Sequence, residues 1–158
     1  FALIEKYLNT GCHFAAPKHQ QRDCIFQEAK ECIVLNRVGF KETINQMKVY
    51  RKSGMPSSFG LTENGILLRN HSDLALQKIL NEWWDELNLF TQRDQLCLPY
   101  VLWRNTQIPR YMEESIRINN TFFEIGTHKV VANKTIFDKV IFKLDVTLKR
   151  FLLSFIRL

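Results

Sequence analysis

The sequence predicts an α/β fold that is rich in helix, because helix-like segments alternate with a few short strand-like ones. The strongest helical pattern covers residues 72–90, where apolar side chains recur every three or four positions. The strand-like runs are short, and residues 66–68 are typical of them. With 158 residues, of which 46% are hydrophobic, the chain has the size of one domain with a core. The strands are too few for a complete doubly wound sheet.

The N-terminal half predicts a helix, a strand with its loop, and two further helices, at residues 1–11, 12–21, 22–36 and 41–54. Gly11 ends the first helix and Gly54 ends the last, since glycine readily adopts the conformation of a helix C-terminus. Asp23 is placed to cap the helix of residues 22–36. The apolar side chains of that helix share one face: Ile25, Ala29, Cys32 and Ile33.

The C-terminal half predicts a strand, two helices, an extended segment and a long final helix, at residues 66–68, 72–90, 93–105, 121–131 and 135–158. Ser72 and Asp94 are the predicted N-caps of the two middle helices. The apolar stripe of residues 72–90 consists of Leu76, Ile79, Leu80, Trp83, Trp84 and Leu87. Its two tryptophans fit either a platform that stacks on sugars or ordinary core packing.

Charge and cysteine content argue against several classes of protein. The net charge is +6, and residues 129–158 carry seven Lys/Arg against two Asp, a net of +5. The rest is almost neutral, so a general nucleic-acid surface is not indicated. No two of the four cysteines are spaced as C-x-x-C, so neither a zinc site nor a redox motif is indicated. No apolar run is long enough to span a bilayer. Because the chain opens in mid-pattern with FALIEKYL, we expect that an N-terminal half-domain is missing.

Two polar groups of residues precede buried elements. Four polar residues surround the start of a predicted helix: His19, Arg22, Asp23 and Glu28. The free N–H groups and partial positive charge of such a helix start favour a phosphate or a sugar hydroxyl. The alternative is an aspartate cap with an exposed arginine. Glu63 and Asn64 precede the strand of residues 66–68, at a position where α/β proteins place ligands. The alternative there is an ordinary turn.

Further candidates follow that strand and open the next helix. Arg69 and His71 lie beyond the strand, where they form either a second polar edge of a ligand site or an ordinary helix start. Arg93, Asp94 and Gln95 begin the helix of residues 93–105. Backbone N–H groups would orient Asp94 there, so that it accepts hydrogen bonds or a proton from substrate hydroxyls. The alternative is a capping aspartate beside an unrelated arginine.

Residues 135–158 predict a basic amphipathic helix. Its apolar side chains recur at intervals of three and four: Phe137, Val140, Ile141, Leu144, Leu148, Phe151, Leu152 and Phe155. Four basic side chains occupy the other side: Lys139, Lys143, Lys149 and Arg150. Such a helix can lie on a membrane surface, or it can pack on a protein partner or on the missing part of this chain.

Four sequence blocks in a fixed order carry a resemblance to a known family: KHQQRDCIFQEA, YRKSGMPSSFGLTENGILLRNHSD, WWDEL and QRDQLCLPYVLW. They resemble the glycosyltransferase-like family that includes plant mucilage- and xylan-related proteins and bacterial relatives. The blocks run from His19 to Trp103, a little over half of the chain. Three positions depart from the family pattern. Gln20 replaces a usual proline, Phe26 a usual tyrosine, and Pro99 a small polar residue.

The resemblance implies a partial GT-A-like (nucleotide-diphospho-sugar transferase) fold. Residues 1–134 would form its acceptor-side, C-terminal part, followed by the amphipathic helix of residues 135–158. The D-x-D motif that binds metal in GT-A enzymes does not occur here and would precede Phe1. A divalent metal (Mn or Mg) and a nucleotide-sugar are therefore expected in the full-length enzyme and not in this chain alone. His128 is the candidate for a late metal-binding histidine, although a lone histidine is more typical of a structural role.

The same resemblance implies transfer of a hexose from a nucleotide-sugar to a glycan or lipid-linked acceptor. It places Asp94 and Gln95 at catalytic positions, and Arg22 and Arg69 where they neutralise phosphate or fix loops. The expected location is cytoplasmic, peripheral to a membrane. The alternative is a non-catalytic module, associated with glycan or membrane, that has lost its donor-binding half. No Ser/His/Asp order or multi-histidine spacing supports hydrolysis of a lipid amide.

Overall fold

The computed structural model describes residues 2–8, 12–117, 121–122 and 135–156. Within them lie six helices: α1 (Ala2–Tyr7), α2 (Ile25–Val34), α3 (Phe40–Lys52), α4 (Leu74–Leu89), α5 (Asp94–Arg104) and α6 (Ile136–Ser154). Three short strands accompany them: β1 (Phe14–Pro17), β2 (Leu68–Arg69) and β3 (Arg110–Met112). About 55% of the described residues are helical, so the predicted α/β class and its richness in helix are confirmed.

The three strands form one small sheet in the order β2-β1-β3. β1 lies in the centre, and all four of its residues are buried. β2 runs antiparallel to β1, with Arg69 opposite Phe14, whereas β3 runs parallel to it, with Met112 opposite Pro17. Because β1 and β3 are parallel, their carboxyl ends meet at the same edge of the sheet.

Backbone hydrogen bonds continue this pairing beyond the end of β1. The His19 N–H donates to the Leu61 carbonyl, and the Glu63 N–H donates to the Pro17 carbonyl, both at 2.8 Å. A bridge between Lys18 and Thr62 lies between these two bonds. Two segments that are distant in the chain are therefore held side by side at the carboxyl end of β1.

One large apolar core joins β1 with α2, α3, α4 and α5. At its centre the rings of Tyr50 and Tyr100 stack, with centroids 3.8 Å apart. Gln46 Nε2 donates to the Tyr50 hydroxyl at 2.8 Å, and the Thr91 hydroxyl donates to Gln46 Oε1 at 2.7 Å. Burial raises the pKa of Tyr50 far above its ordinary value, so the hydroxyl stays protonated. Gln46, Tyr50 and Thr91 therefore satisfy one another inside the core, whereas the Trp83 Nε1 beside it has no partner among the described residues.

Two of the predicted N-caps are wrong by one residue. α2 is preceded by Cys24, whose side chain makes no capping bond, and not by Asp23. α4 is capped by Asp73, whose carboxylate accepts two N–H groups of the first turn, and not by Ser72. Ser72 instead donates its own N–H to Asn70 Oδ1 in the preceding turn. Adjacent residues that both favour capping cannot be ranked from the sequence, since the chain direction before the helix decides which one reaches the free N–H groups.

The predicted strand of residues 66–68 is wrong in its extent. Ile66 is buried, but it precedes β2, which has only two residues. Arg69 is exposed at the edge of the sheet, so β2 is an edge strand and not the short inner strand expected. Most of the predicted extended segment of residues 121–131 lies outside the described residues.

The long final helix is confirmed as α6, but its apolar stripe does not face the rest of the domain. Among the described residues of α6, Leu153 is the buried one, and it packs against Ile33 and Val34 of α2. Arg150 of α6 pairs with Glu31 of α2 at 2.9 Å. The eight side chains of the predicted stripe are instead 48–72% exposed. Periodicity identifies the apolar face of a helix, but it does not show what covers that face.

The two tryptophans of α4 have different environments. Trp83 packs against the main core, whereas the side chain of Trp84 is 65% exposed. Core packing is thus correct for Trp83, while Trp84 is available to other contacts. No described helix combines the length and the apolar character that crossing a bilayer requires.

Gly60 fixes the start of the segment that pairs with residues 17–19, and this predicts a stability effect. Its φ is +114°, and a Cβ added there would lie 2.1 Å from the hydroxyl oxygen of Tyr111. We expect Gly60→Ala to lower the free energy of unfolding by about 2–4 kcal/mol, because backbone strain and a steric clash add. Urea denaturation followed by circular dichroism measures the loss.

The matched control is Gly54→Ala, where φ is +91° but the added Cβ makes only an ordinary contact, 4.0 Å from the Trp103 ring. Backbone strain alone should cost about 1 kcal/mol there. Equal losses at the two positions would show that Tyr111 does not constrain the loop.

Candidate functional site

A cleft of about 670 Å³ lies at the carboxyl ends of β1 and β3. Three segments form its walls: residues 19–22 after β1, residues 63–65 beside them, and residues 93–95 at the start of α5. The cleft brings together seven of the predicted site residues: His19, Arg22, Glu63, Asn64, Arg93, Asp94 and Gln95. Ile116 and Arg117, which follow β3, close one side.

A buried carboxylate, that of Glu28 on α2, forms the floor of the cleft. Its side chain is only 1% exposed, and its Oε2 accepts from Arg22 Nε at 2.5 Å. Its Oε1 accepts from the Cys32 thiol at 3.3 Å and lies 4.0 Å from Arg93 Nη2. One carboxylate therefore anchors the first wall of the cleft and lies within reach of the third.

The sequence groups Glu28 with the polar residues at the start of α2, but its role as a buried anchor was not predicted, although the sequence contains a signal for it. It lies three residues after Ile25 and four before Cys32, within the apolar stripe of α2. A charged residue on the buried face of a helix requires a partner in the folded protein. The partner, Arg22, lies just before the helix, so the pair is local in sequence.

His19 is held as a neutral imidazole. Its Nδ1 accepts the backbone N–H groups of Gln21 and Arg22, at 3.3 and 3.2 Å. Its Nε2 lies 3.7 Å from Glu28 Oε2. Burial lowers the pKa of His19 and outweighs the opposing effect of the Glu28 carboxylate. These bonds assign the proton to Nε2, which makes His19 a neutral donor.

The second and third walls are joined by side-chain amides. Gln95 accepts a short hydrogen bond from the Arg93 guanidinium and donates to the Thr62 carbonyl at 3.4 Å. The Thr62 hydroxyl donates to Asn64 Oδ1 at 2.7 Å. Gln95 therefore fixes the start of α5 relative to the neighbouring loop.

Three buried polar atoms on these walls have no hydrogen-bond partner among the described residues: Glu63 Oε2, Asn64 Nδ2 and Arg93 Nε. An unpaired buried polar group costs about 1–3 kcal/mol, so such groups are rare in native proteins. Here one acceptor and two donors occur together at one cleft. A hydroxyl group both donates and accepts, and it matches an acceptor next to a donor. The cleft is thus suited to a polar ligand that carries hydroxyls.

Asp94 is the first residue of α5 and not its cap, so the predicted capping role is wrong. The N-cap is Arg93, whose carbonyl accepts the Leu96 N–H at 2.9 Å. No hydrogen bond to the Asp94 carboxylate occurs among the described residues. Because the helix begins one residue earlier than expected, the side chain of Asp94 lines the cleft. The carboxylate is therefore available to accept a hydrogen bond from a ligand.

The charges around the cleft are balanced. Four arginines and four carboxylates line it: Arg22, Arg37, Arg93, Arg117, Glu28, Glu31, Glu63 and Asp94. Glu31 is bound to Arg150 at 2.9 Å, and Glu63 Oε1 lies 3.7 Å from Arg117. The arginines offer positive charge for phosphate, and the carboxylates offer acceptors for hydroxyls. Arg37 and Arg117 come from loops, and no local pattern marked them in the sequence.

Three predicted site residues lie elsewhere. Asp23 does not line the cleft, and its charge instead raises the pKa of the half-buried Tyr111, after the larger effect of burial. Arg69 pairs with Phe14 at the amino end of β1, and His71 follows it on the surface. Since β2 runs antiparallel to β1, residues beyond β2 are carried away from the cleft. The polar groups before and after this strand therefore do not share a site.

The described residues do not fit a metal ion. No group of three His, Cys, Asp or Glu side chains in that part of the chain is arranged to hold one. His128, the predicted metal ligand, lies outside the described residues.

The chain belongs to the TOD1/MUCI70, glycosyltransferase-like domain family, which matches residues 1–135. This match confirms the resemblance carried by the four sequence blocks. Every residue named in the cleft walls lies within the matched part, whereas α6 lies outside it. No curated protein and no solved structure matches the chain.

The neutral state of His19 predicts a pH dependence of stability. The pKa of His19 in the folded protein lies below the ordinary value of 6.5, so the unfolded chain takes up this proton first. The stability is complete above the unfolded pKa and falls as the pH drops below about 6.5 towards the lower folded pKa. His19→Asn keeps an acceptor near Nδ1 but does not titrate. Urea denaturation at about pH 7.5 and about pH 5.5 should show a smaller loss in the variant. Identical losses would contradict a depressed pKa.

The buried Glu28 carboxylate predicts a second stability effect. Glu28→Gln leaves Arg22 without its charged partner, so we expect a loss of about 2–4 kcal/mol in the free energy of unfolding. The control is Glu31→Gln, one turn along α2, which breaks a more exposed pair with Arg150 and should cost under about 1 kcal/mol. Chemical denaturation measures both variants. A loss at Glu28 no larger than the loss at Glu31 would exclude the anchoring role.

Proposed function

We propose that the cleft is the site of a glycosyltransferase, which transfers a hexose from a nucleotide-sugar to a glycan or lipid-linked acceptor. The observation that carries this proposal is the cluster of unpaired buried atoms at Glu63, Asn64 and Arg93. Membership of a glycosyltransferase-like family supports it. A sugar supplies the hydroxyls that these atoms lack.

The second wall of the cleft (residues 63–65) and the third wall (residues 93–95) would bind different parts of the donor. Glu63 Oε2 would accept from one sugar hydroxyl, and Asn64 Nδ2 would donate to the same or the neighbouring oxygen. Arg93 Nε would donate to a phosphate oxygen, where its charge also stabilises the departing nucleotide. Arg22 lies beside it on the Glu28 carboxylate and adds a second positive charge.

Asp94 would act on the acceptor. In the transfer, the acceptor oxygen forms a bond to the anomeric carbon, the bond to the phosphate oxygen breaks, and the hydroxyl proton leaves. The Asp94 carboxylate lines the cleft and can accept that proton. Gln95 would hold the start of α5 in place through its contacts to Arg93 and Thr62. This rigidity matters because a misplaced acceptor reacts slowly.

Asp94→Asn tests this role. In a form of the protein that transfers sugar, we expect kcat to fall roughly 100-fold with a small change in KM, because the amide cannot take the proton. Release of the nucleotide from UDP- and GDP-hexoses in the presence of acceptor glycans measures the rate. The matched control is Asp85→Asn, an exposed aspartate on α4 outside the cleft, which should retain full activity.

The outcomes separate the proposal from its alternative. Near-normal turnover by Asp94→Asn would remove Asp94 from the mechanism. Binding of glycans by the wild-type protein, without turnover of any nucleotide-hexose, would support the non-catalytic module instead. Failure of Glu63→Gln and Asn64→Leu to weaken the binding of a nucleotide-hexose would show that the cleft is not the donor site.

A further inference from the structure

α6 exposes a continuous apolar face with a regular seam. Six of its side chains are spaced four, three, four, three and four residues apart: Phe137, Ile141, Leu144, Leu148, Phe151 and Phe155. All six are exposed. An average spacing of 3.5 residues is the pattern by which two helices pack along their length. The spacing therefore indicates a helical partner.

The seam points away from the domain. Val146 and Leu153, which pack on the α2 side, lie about half a turn around the helix from the middle of the seam. Lys30 of α2 donates to the carbonyls of Leu153 and Ile156, at 3.1 and 2.8 Å. α6 is thus anchored to α2 by its C-terminal half, while the whole seam stays accessible.

The charges beside the seam distinguish a protein partner from a membrane. Asp138 and Asp145 border one edge of the apolar face, where Lys149 pairs with Asp145 at 2.7 Å, and Lys139 and Lys143 lie beyond the other edge. A helix that lies on anionic lipid carries basic residues along its polar flanks. Here one flank would direct Asp138 and the Asp145–Lys149 ion pair towards the headgroups, so that flank offers no net positive charge. Of the two alternatives that the sequence leaves open, the pattern favours a protein surface over a membrane surface.

We propose that α6 pairs antiparallel with α6 of a second copy of this chain. In this arrangement Leu144 lies opposite Leu148 of the second copy, and Phe137 lies opposite Phe155. In the antiparallel direction each apolar side chain of the seam meets another apolar side chain, because leucine, isoleucine and phenylalanine occupy the seam from end to end. The two helix dipoles also oppose each other, which is favourable.

A groove beside the seam supports the antiparallel direction. It has a volume of about 260 Å³, and its apolar lining includes Phe40 and Leu152. Both of these side chains are exposed. An antiparallel partner places the start of its own helix, with Ile136 and Phe137, beside this groove. That contact would cover apolar surface of both copies at each end of the pair.

The exposed area is sufficient for a stable dimer. The eight apolar side chains of the stripe offer roughly 100 Å² each, since a large side chain that is half to three-quarters exposed contributes that order of area. Their sum, about 800 Å² per copy, equals the area that a standard protein interface buries on each partner. The seam itself lies outside the part matched by the family, whereas Phe40 of the adjoining groove lies within it.

Sedimentation equilibrium of the full chain tests the pairing. We expect twice the 18.7 kDa mass of one copy at micromolar concentration. Leu144→Glu combined with Leu148→Glu should raise the dissociation constant at least about 100-fold, because it buries four carboxylates in the seam. The control is Lys139→Glu with Lys143→Glu, off the seam on the same helix, which should remain dimeric. Circular dichroism of each variant shows whether α6 is retained.

Disulfide trapping tests the direction. Leu144→Cys and Leu148→Cys chains, each with Cys12→Ser, are mixed and oxidised. An antiparallel pair gives mainly the disulfide between Cys at position 144 of one chain and Cys at position 148 of the other. A parallel pair gives instead the 144–144 and 148–148 disulfides. The native Cys32 and Cys97 contribute little background, since burial raises their thiol pKa values to about 11 and about 12.

Three results would overturn the proposal. One is a protein that stays monomeric at all concentrations and floats with vesicles of phosphatidylserine and phosphatidylcholine. If the Lys139→Glu, Lys143→Glu variant no longer floats, α6 is a membrane-surface helix. Another is a monomer that binds no vesicles. The third is a dimer that survives the double glutamate substitution with α6 intact.

Discussion

The ion pair between Arg22 and the buried Glu28 carboxylate is the constraint on which the site depends. A carboxylate that is 1% exposed is tolerated only with a partner, so Arg22 must fold back over the first turn of α2. That position sets the path of residues 19–22 and allows Arg22 and Gln21 to donate their N–H groups to His19. The same carboxylate lies 4.0 Å from Arg93, so the floor of the cleft also limits where α5 can begin.

The small sheet determines which of the remaining polar residues reach the cleft. β1 is buried on both faces, and its extension pairs with residues 61–63 before the chain turns away towards β2. This arrangement separates two groups of polar residues that flank one short strand. Glu63 and Asn64 remain at the carboxyl end of β1, in the cleft, while Arg69 is carried to the amino end. The parallel neighbour β3 then delivers Arg117 to the same edge.

The sequence predicts most of the helices because their periodicity is local. The predicted helix of residues 72–90 differs from α4 by two residues at its start and one at its end, and that of residues 93–105 differs from α5 by one at each end. Caps are predicted less well, since neighbouring polar residues compete at the position. Seven candidate residues do meet in one cleft, but the contacts that bring them together are long-range backbone pairs. The covered side of α6 depends on packing, which no window of sequence contains.

The unpaired atoms of Glu63, Asn64 and Arg93 affect how the thermal stability of the domain can be raised. Each lowers the stability of the ligand-free protein and regains that energy when a partner arrives. A substitution that removes only the unpaired atom, and keeps the bonds of Asn64 to Thr62 and of Arg93 to Gln95, would therefore make the domain more heat-resistant while removing a proposed contact to a ligand. A search for stabilised variants would converge on the cleft, and it would select against the groups proposed to bind a sugar. The positions at which such a screen finds stabilising substitutions would therefore mark the proposed binding surface.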